Sequence, residues 1–366
     1  MRTVLCSPGS YIQQEGAISQ LAGEYAHAGS TGAYILVDPT IDSLYHDSIV
    51  SSFDSGQVPY TLAVFGGECS DAEIQKHVAL LADTDAVIGI GGGKTLDCAK
   101  AVGYYGKRPA IIVPTAASSD APCSRLSVVY TDGGQFDHYL PLPENPRMVL
   151  MDTELISKAP VRFLTAGIGD AFATYYEAAA CVQSNAVTMT GGHATNAAFA
   201  LATLCHDSLL ADGVKAVSAV RLGLRTKAVE NIIETNTLLS GLGFESCGLA
   251  AAHSIHDGLT AIPETHSYLH GEKVAYGTLA QMIMEDRPLE ELAEVYRFFR
   301  AVGLPTNFAG IGIHDVTDEQ LLHVGELACS PQDTMANMPF EVTPADVANA
   351  LRAVDALDKE FSVDSH

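Results

Sequence analysis

Between residues 34 and 113 the chain alternates short apolar runs with amphipathic stretches. The runs are 34–37 (Tyr-Ile-Leu-Val), 60–65, 86–90 (Ala-Val-Ile-Gly-Ile) and 110–113. Helical periodicity lies between them, for example over 71–82 and 96–105. Near-continuous apolar strands that alternate with helices predict a parallel, Rossmann-like sheet with helices on both faces. Runs at 126–130 and 148–151 predict further strands, and Thr131-Asp-Gly-Gly134 predicts a hairpin turn before Phe136.

After Pro160 the strand pattern stops. Helical periodicity covers 161–182, 190–210, 214–239, 249–261, 271–285, 289–302, 318–328 and 344–361, and Pro263, Pro288, Pro305, Pro331 and Pro339 punctuate it. The expected organisation is an α/β domain over 1–160 and an all-α domain over 161–366, with a ligand site expected in the cleft between them.

The stretch 86–100 joins a buried strand, the glycines Gly91, Gly92 and Gly93, and a helix that starts at Lys94. Free N–H groups in a helix's first turn favour an anion, glycines allow close approach, and Lys94 adds a positive charge. Neither standard phosphate fingerprint fits. A G-x-G-x-x-G begun at Gly89 meets Lys94 where glycine is required, and a P-loop would need glycine at Ile88. The local chemistry suits a phosphate-binding turn or a purely structural one. Asp38 ends the first strong strand, where an acid accepts from a ribose diol or caps the next helix at Pro39. Thr115 and Ser118 lie in a hydroxyl-rich exit from another strand, suited to phosphate or ribose or to an ordinary polar loop.

In the second half, Asp170 sits among small residues of an apolar helix, costly for a carboxylate unless it is paired or binds a metal. Four histidines, His253, His256, His266 and His270, follow within eighteen residues. His253 and His256 share a helix face, and so do His266 and His270 if that turn is helical. An Asp/His/His set with an open position is a catalytic-zinc arrangement, although spacing alone does not choose among the four.

Composition narrows the partners. The net charge of −24 over 366 residues disfavours nucleic acid and anionic membranes. No apolar run approaches the ~20 residues of a membrane span, and the N-terminal stretch is too soon broken for a signal peptide. The eight cysteines show no C-x-x-C pair, and this predicts reduced thiols, a cytoplasmic location and no cysteine metal ligand.

These residues carry a resemblance. Gly89-Ile-Gly-Gly-Gly-Lys-Thr-Leu-Asp97 resembles the pyrophosphate loop in the polyol branch of the iron-containing (type III) alcohol dehydrogenase family. Phe65-Gly-Gly-Glu-Cys-Ser70, Asp120-Ala-Pro-Cys-Ser124, Ala166-Gly-Ile-Gly-Asp170, Gly243-Phe-Glu-Ser246, Ala250-Ala-Ala-His253 and His270-Gly-Glu-Lys-Val-Ala275 fit its glycerol-oxidising members. The likeness runs from Ser7 to about Asp358.

The resemblance implies NAD-dependent, reversible oxidation of glycerol and related vicinal diols to dihydroxyacetone or its analogues. It implies a zinc ion held by Asp170, His253 and His270, with His256 and His266 as supporting or pocket groups. Asp38 and Asp97 would serve the cofactor beside the glycine loop, Asp38 selecting NAD over NADP. Asp120 would face the polyol, and Ser124, Leu126 and Tyr130 would line the nicotinamide and ribose pocket. A homo-oligomer is implied as well, with an octamer among the sizes the family forms.

Two departures stand out. Thr174 occupies the place of the histidine that gives the family's iron enzymes a fourth ligand, and Phe340 and Glu341 follow Met338-Pro339 where glycines would be expected. Rival readings are a lyase of dehydroquinate-synthase type, a glycerol-1-phosphate dehydrogenase, and a non-catalytic nucleotide-binding sensor. The first two take phosphorylated substrates and need basic residues. None occurs in 165–180, and only Lys273 occurs in 249–275.

Overall fold

The computed structural model describes Met1–Val363, so the last three residues of the 161–366 segment lie outside the described residues. The chain forms two compact units. One comprises Ser7–Ala117 and Ala121–Ala159, and the other Met1–Cys6, Ser118–Asp120 and the chain from Pro160 onward.

The first unit is built on a six-stranded parallel sheet. In chain order its elements are β1 (Tyr11–Gln14), α1 (Leu21–Tyr25), β2 (Ala33–Val37), α2 (Pro39–Gly56), β3 (Tyr60–Val64), α3 (Asp71–Val78), β4 (Ala86–Gly91), α4 (Gly93–Gly106) and β5 (Ala110–Pro114). The hairpin β6 (Leu126–Tyr130) and β7 (Phe136–Pro141), then β8 (Met148–Asp152) and α5 (Thr153–Lys158), complete it. The sheet order is β1-β8-β5-β4-β2-β3, every pair parallel. β2, β4 and β8 are buried along their whole length, as expected for a sheet covered on both sides. β6 and β7 pair antiparallel around the Thr131–Gly134 turn, with Gly134 at φ 80°.

β1 has no counterpart in the apolar pattern. Tyr11-Ile-Gln-Gln is only half apolar and half-buried, because it lies at the sheet edge against β8.

The second unit is helical: α6 (Val161–Ser184), α7 (Asn196–Arg221), α8 (Lys227–Glu234), α9 (Ser240–Cys247), α10 (Ala251–Leu259), α11 (His270–Met284), α12 (Leu289–Val302), α13 (Asp318–Ala328) and α14 (Pro344–Val363). α8 and α9 are joined through a π turn, Thr235–Leu239.

The helix break expected at 210–214 is absent, and α7 runs through it. Gly213 does not end the helix. It makes room for a ring, since a Cβ there would lie 2.9 Å from Phe298. The break falls at Leu222–Leu224, where Gly223 takes φ 67°.

Close helix approach is the main device of this unit. A Cβ on Gly271 would stand 1.9 Å from the Ala166 carbonyl oxygen, and one on Gly169 would stand 2.4 Å from that of Gly271. α6 and α11 therefore touch backbone to backbone, immediately beside Asp170 and His270. On the other side of α11, a Cβ on Gly277 would stand 2.4 Å from the Ala252 oxygen, so α10 is equally close. Gly271→Ala should force α6 and α11 apart and lower stability by roughly 1–3 kcal/mol or more. Chemical denaturation measures this, and an unchanged midpoint would show that the contact yields freely.

Candidate functional site

The sheet order brings two separated sequence signals together. From β2 the chain leaves toward β3, and from β4 it leaves in the opposite direction toward β5. The β2–β4 boundary is thus a switch point, the usual ligand position at the carboxyl ends of such strands. Asp38 follows β2 and Gly91 ends β4. The Asp38 N–H donates to the Ile90 oxygen at 2.9 Å, and a Cβ on Gly91 would lie 2.9 Å from that of Asp38. An acid that precedes the glycine loop by some fifty residues in sequence is its neighbour in space.

Helix starts at this edge differ. Asp38 Oδ1 accepts from the Thr40 and Ile41 N–H groups and caps α2, and Ser70 caps α3. α4 begins at Gly92 with no side-chain cap, and Cβ atoms on Gly92 and Gly93 would meet nothing within 4 Å. Open space therefore lies beside its first turn, as an external anion requires. Lys94 pairs there with Glu68, and its ammonium sits 5.0 Å from the centre of the Tyr130 ring.

Other expected cofactor residues are engaged inside this unit. Asp97 is buried, with Oδ1 2.9 Å from the Lys100 ammonium and Oδ2 accepting from Val128 N–H at 3.1 Å. Lys100 also donates to the Ala121 and Leu126 carbonyls. The pair thus ties α4 to β6. The Ser124 hydroxyl donates to the Ala121 oxygen at 2.9 Å. Thr115 is buried and its N–H donates to the Gly91 oxygen, while Leu126 and Tyr130 are half-buried. Ser118 is half-buried and belongs to the helical unit.

Within the helical unit, Asp170, His253 and His270 converge from α6, α10 and α11. One donor atom from each lies within 4.8 Å of the other two. Asp170 Oδ1 stands 3.4 Å from His253 Nε2 and 3.1 Å from His270 Nε2. Among the described residues this oxygen has no hydrogen-bond partner, although Asp170 is fully buried. Side-chain exposure rises from 0 % at Asp170 through 13 % at His253 to 43 % at His270, so the group opens to solvent on the His270 side.

The electrostatics favour a cation at this junction. Burial opposes the Asp170 charge, yet the imidazoles of His270 and His253 outweigh it and hold the carboxyl well below the usual range. Burial likewise opposes a charge on His253, but Glu177 and Asp170 push its imidazole well above the ordinary value. Two nitrogens and a buried carboxylate oxygen around an unsatisfied point, with an open side, fit zinc.

Neighbouring groups fix both rings. His253 Nδ1 lies 2.6 Å from Glu177 Oε2. His256 is pushed down to about 3 by burial and by His270, so it is neutral. Its Nδ1–H donates to Asp257 at 2.8 Å, which leaves Nε2 to accept from His270 Nδ1 at 3.1 Å. His270 Nε2 is then turned to Asp170. His266 does not join the group. It lies in the 3-10 turn Pro263–Ser267 and hydrogen-bonds to the Thr260 oxygen at 2.8 Å.

Asp120 meets the cluster through its backbone N–H, which donates to Asp170 Oδ2 at 3.2 Å. Burial and the Asp170 charge push its carboxyl well above the usual range. Ser240, just past the π turn, donates to Asp120 at 2.7 Å and accepts from Thr174 at 2.8 Å. Thr174, in place of a fourth histidine, is thus part of a buried hydroxyl chain.

The match to known proteins is broad. Residues 8–153 match the family model described as iron-containing alcohol dehydrogenase. The chain belongs to the iron-containing alcohol dehydrogenase family, oxidoreductases acting on CH–OH groups. Within it, the chain is 51 % identical to the glycerol dehydrogenase of Thermotoga maritima, over 97 % of each chain. It is 40 % identical to the glycolaldehyde reductase of Halobacterium salinarum, over 98 % of this chain and 99 % of that one. The crystal structure of the Schizosaccharomyces pombe glycerol dehydrogenase superposes with a TM-score of 0.97 at 40 % identity, over 100 % of this chain and 93 % of that one.

The buried Asp97–Lys100 pair gives a test inside the sheet unit. Lys100→Met strands a buried carboxylate, and that should cost about 3–5 kcal/mol. Urea unfolding measures it, and a loss within error would mean that Asp97 is stabilised by something other than Lys100.

Proposed function

We propose that this chain oxidises glycerol, and related vicinal diols, to dihydroxyacetone or its analogues, with reversible reduction of NAD⁺ and a zinc ion at Asp170, His253 and His270. The single observation that carries the reading is the buried, unpartnered Asp170 oxygen facing two imidazole Nε2 atoms. The resemblance to glycerol dehydrogenases over nearly the whole chain supports the substrate. The scarcity of basic residues on the helices around Asp170 and His253 supports an uncharged polyol over a phosphorylated one.

Each unit supplies one part. In the sheet unit, the uncapped start of α4 at Gly91, Gly92 and Gly93, with Lys94, receives the pyrophosphate. Asp38 accepts from the adenosine ribose through the oxygen left outside its cap and repels a 2′-phosphate. Thr115, with Ser118 of the helical unit, serves phosphate or ribose, and Leu126, Tyr130 and Ser124 border the nicotinamide side. In the helical unit, Asp170, His253 and His270 hold the metal, and Asp120, oriented by Ser240, accepts from or donates to a terminal hydroxyl. Zinc supplies Lewis acidity to the secondary hydroxyl, and NAD⁺ supplies the hydride acceptor. The resemblance supports a homo-oligomer, and the cysteine pattern supports a cytoplasmic location. The solvent-facing Leu204 and Val214 of α7 supply apolar surface for association.

His253→Ala should lose zinc and glycerol-dependent NADH formation, yet still bind NADH, read as a fluorescence change. Chelation of the wild type should do the same and be reversed by added zinc. Full turnover in verified metal-free enzyme would overturn the zinc reading, and zinc-replete enzyme without glycerol turnover would overturn the substrate.

For cofactor choice, Asp38→Gly should weaken NAD⁺ and relax its discrimination from NADP⁺ by about 1–3 kcal/mol. Titrating both cofactors against both proteins decides it. Equal use of the two by the wild type would leave Asp38 as a cap only.

A further inference from the structure

We propose that Glu177 is a positioning residue of the metal site: its carboxylate holds His253 in the one tautomer that leaves Nε2 free of hydrogen and aimed at Asp170. The inference rests on the reading of Asp170, His253 and His270 as metal ligands, and adds a group that neither spacing nor resemblance selects.

Glu177 is fully buried and lies seven residues after Asp170 on α6, two turns along the same face. Its two oxygens have different work. Oε1 accepts from the N–H groups of Ala250 at 2.8 Å and His253 at 3.0 Å, capping the start of α10. Oε2 lies 2.6 Å from His253 Nδ1. A carboxylate oxygen accepts, so the hydrogen of that contact sits on Nδ1. In the neutral form of the ring that binds a metal, the lone pair therefore sits on Nε2, the atom 3.4 Å from Asp170 Oδ1. A carboxylate behind a metal-binding imidazole fixes its tautomer and raises its basicity.

The split roles permit a substitution that keeps one and reverses the other. In Glu177→Gln the amide oxygen still satisfies the Ala250 and His253 N–H groups, so the cap on α10 survives. The amide nitrogen then faces His253 Nδ1 as a donor. Nδ1 must accept, and the ring hydrogen moves to Nε2, where the metal would bind.

The experiment measures zinc affinity by competition with a chromophoric chelator, alongside thermal melts of the metal-free proteins. Glu177→Gln should bind zinc about 10–100-fold more weakly, with the metal-free melt close to wild type. In a His253→Ala background the same substitution should change zinc affinity no further, because its effect passes through that ring. Wild-type zinc affinity in Glu177→Gln would overturn the proposal, and so would an equal loss with and without His253. Wild-type protein that binds no zinc, or His253→Ala that keeps full affinity, would instead tell against the ligand reading itself.

Discussion

A single carboxylate oxygen sets the terms for the helical unit. Asp170 Oδ1 is buried with no hydrogen-bond partner among the described residues, and a buried group left in that state typically costs about 1–3 kcal/mol, more when charged. The fold meets this cost with positive potential. Two imidazoles are brought in from two other helices, and α11, which carries His270, approaches α6 more closely than ordinary side chains permit. That is why Gly169 and Gly271 flank the site residues in space: α6 and α11 touch where the carboxylate must meet His270. Gly277 repeats the device between α11 and α10. The glycines give up helix propensity, about 1 kcal/mol each against alanine, in exchange for geometry.

The start of α10 shows the same economy. Its first N–H groups are satisfied by side chains from neighbouring helices, Glu177 on α6 and Gln281 on α11. Capping groups usually come from the residue that precedes a helix. Here they come across the interface, so the orientation of α10, and of His253 on its first turn, is fixed by the helices that carry the other two members of the cluster. The π turn ahead of Ser240 belongs to the same arrangement. It changes the phase of the α8–α9 helix just before the hydroxyl that holds Asp120.

Much of the fold was legible because burial on both faces leaves an unmistakable trace. β2 and β4 are apolar throughout and β8 is apolar up to Asp152, and α12 and α13 begin and end where their prolines, cap residues and periodicity place them. Edge position hid β1, whose glutamines need not be apolar. Gly213 and Gly223 show the limit of local punctuation. One is a packing notch inside a helix and the other a turn, and only the ring of Phe298 distinguishes them. At the site, the residue types were visible but their partners were not. His266 has the same chemistry as His270, yet its ring is taken by the Thr260 carbonyl. Glu177 carried a usable signal: a second acid seven positions after Asp170 in an apolar helix is as costly as the first. Asp97 has the opposite lesson, since an acid inside a glycine-loop motif is spent on Lys100 and a strand N–H.

Helix starts beside the switch point of the sheet are treated differently, and that contrast bears on function. The α10 start is closed by Glu177, a built-in anion. α2 and α3 are closed by Asp38 and Ser70. α4, a fourteen-residue helix whose first N–H groups carry the positive end of its dipole, begins on glycines with no cap. A sequence that places an acid or hydroxyl before α2 and α3 has left α4 without a side-chain cap, and Lys94 stands on its first turn. An uncapped start forgoes about 1 kcal/mol, a cost that an anionic ligand recovers when it takes the place of the missing cap. Glu68 meets Lys94 at that edge without capping the helix, so the backbone donors stay available while the ammonium is held in position beside them.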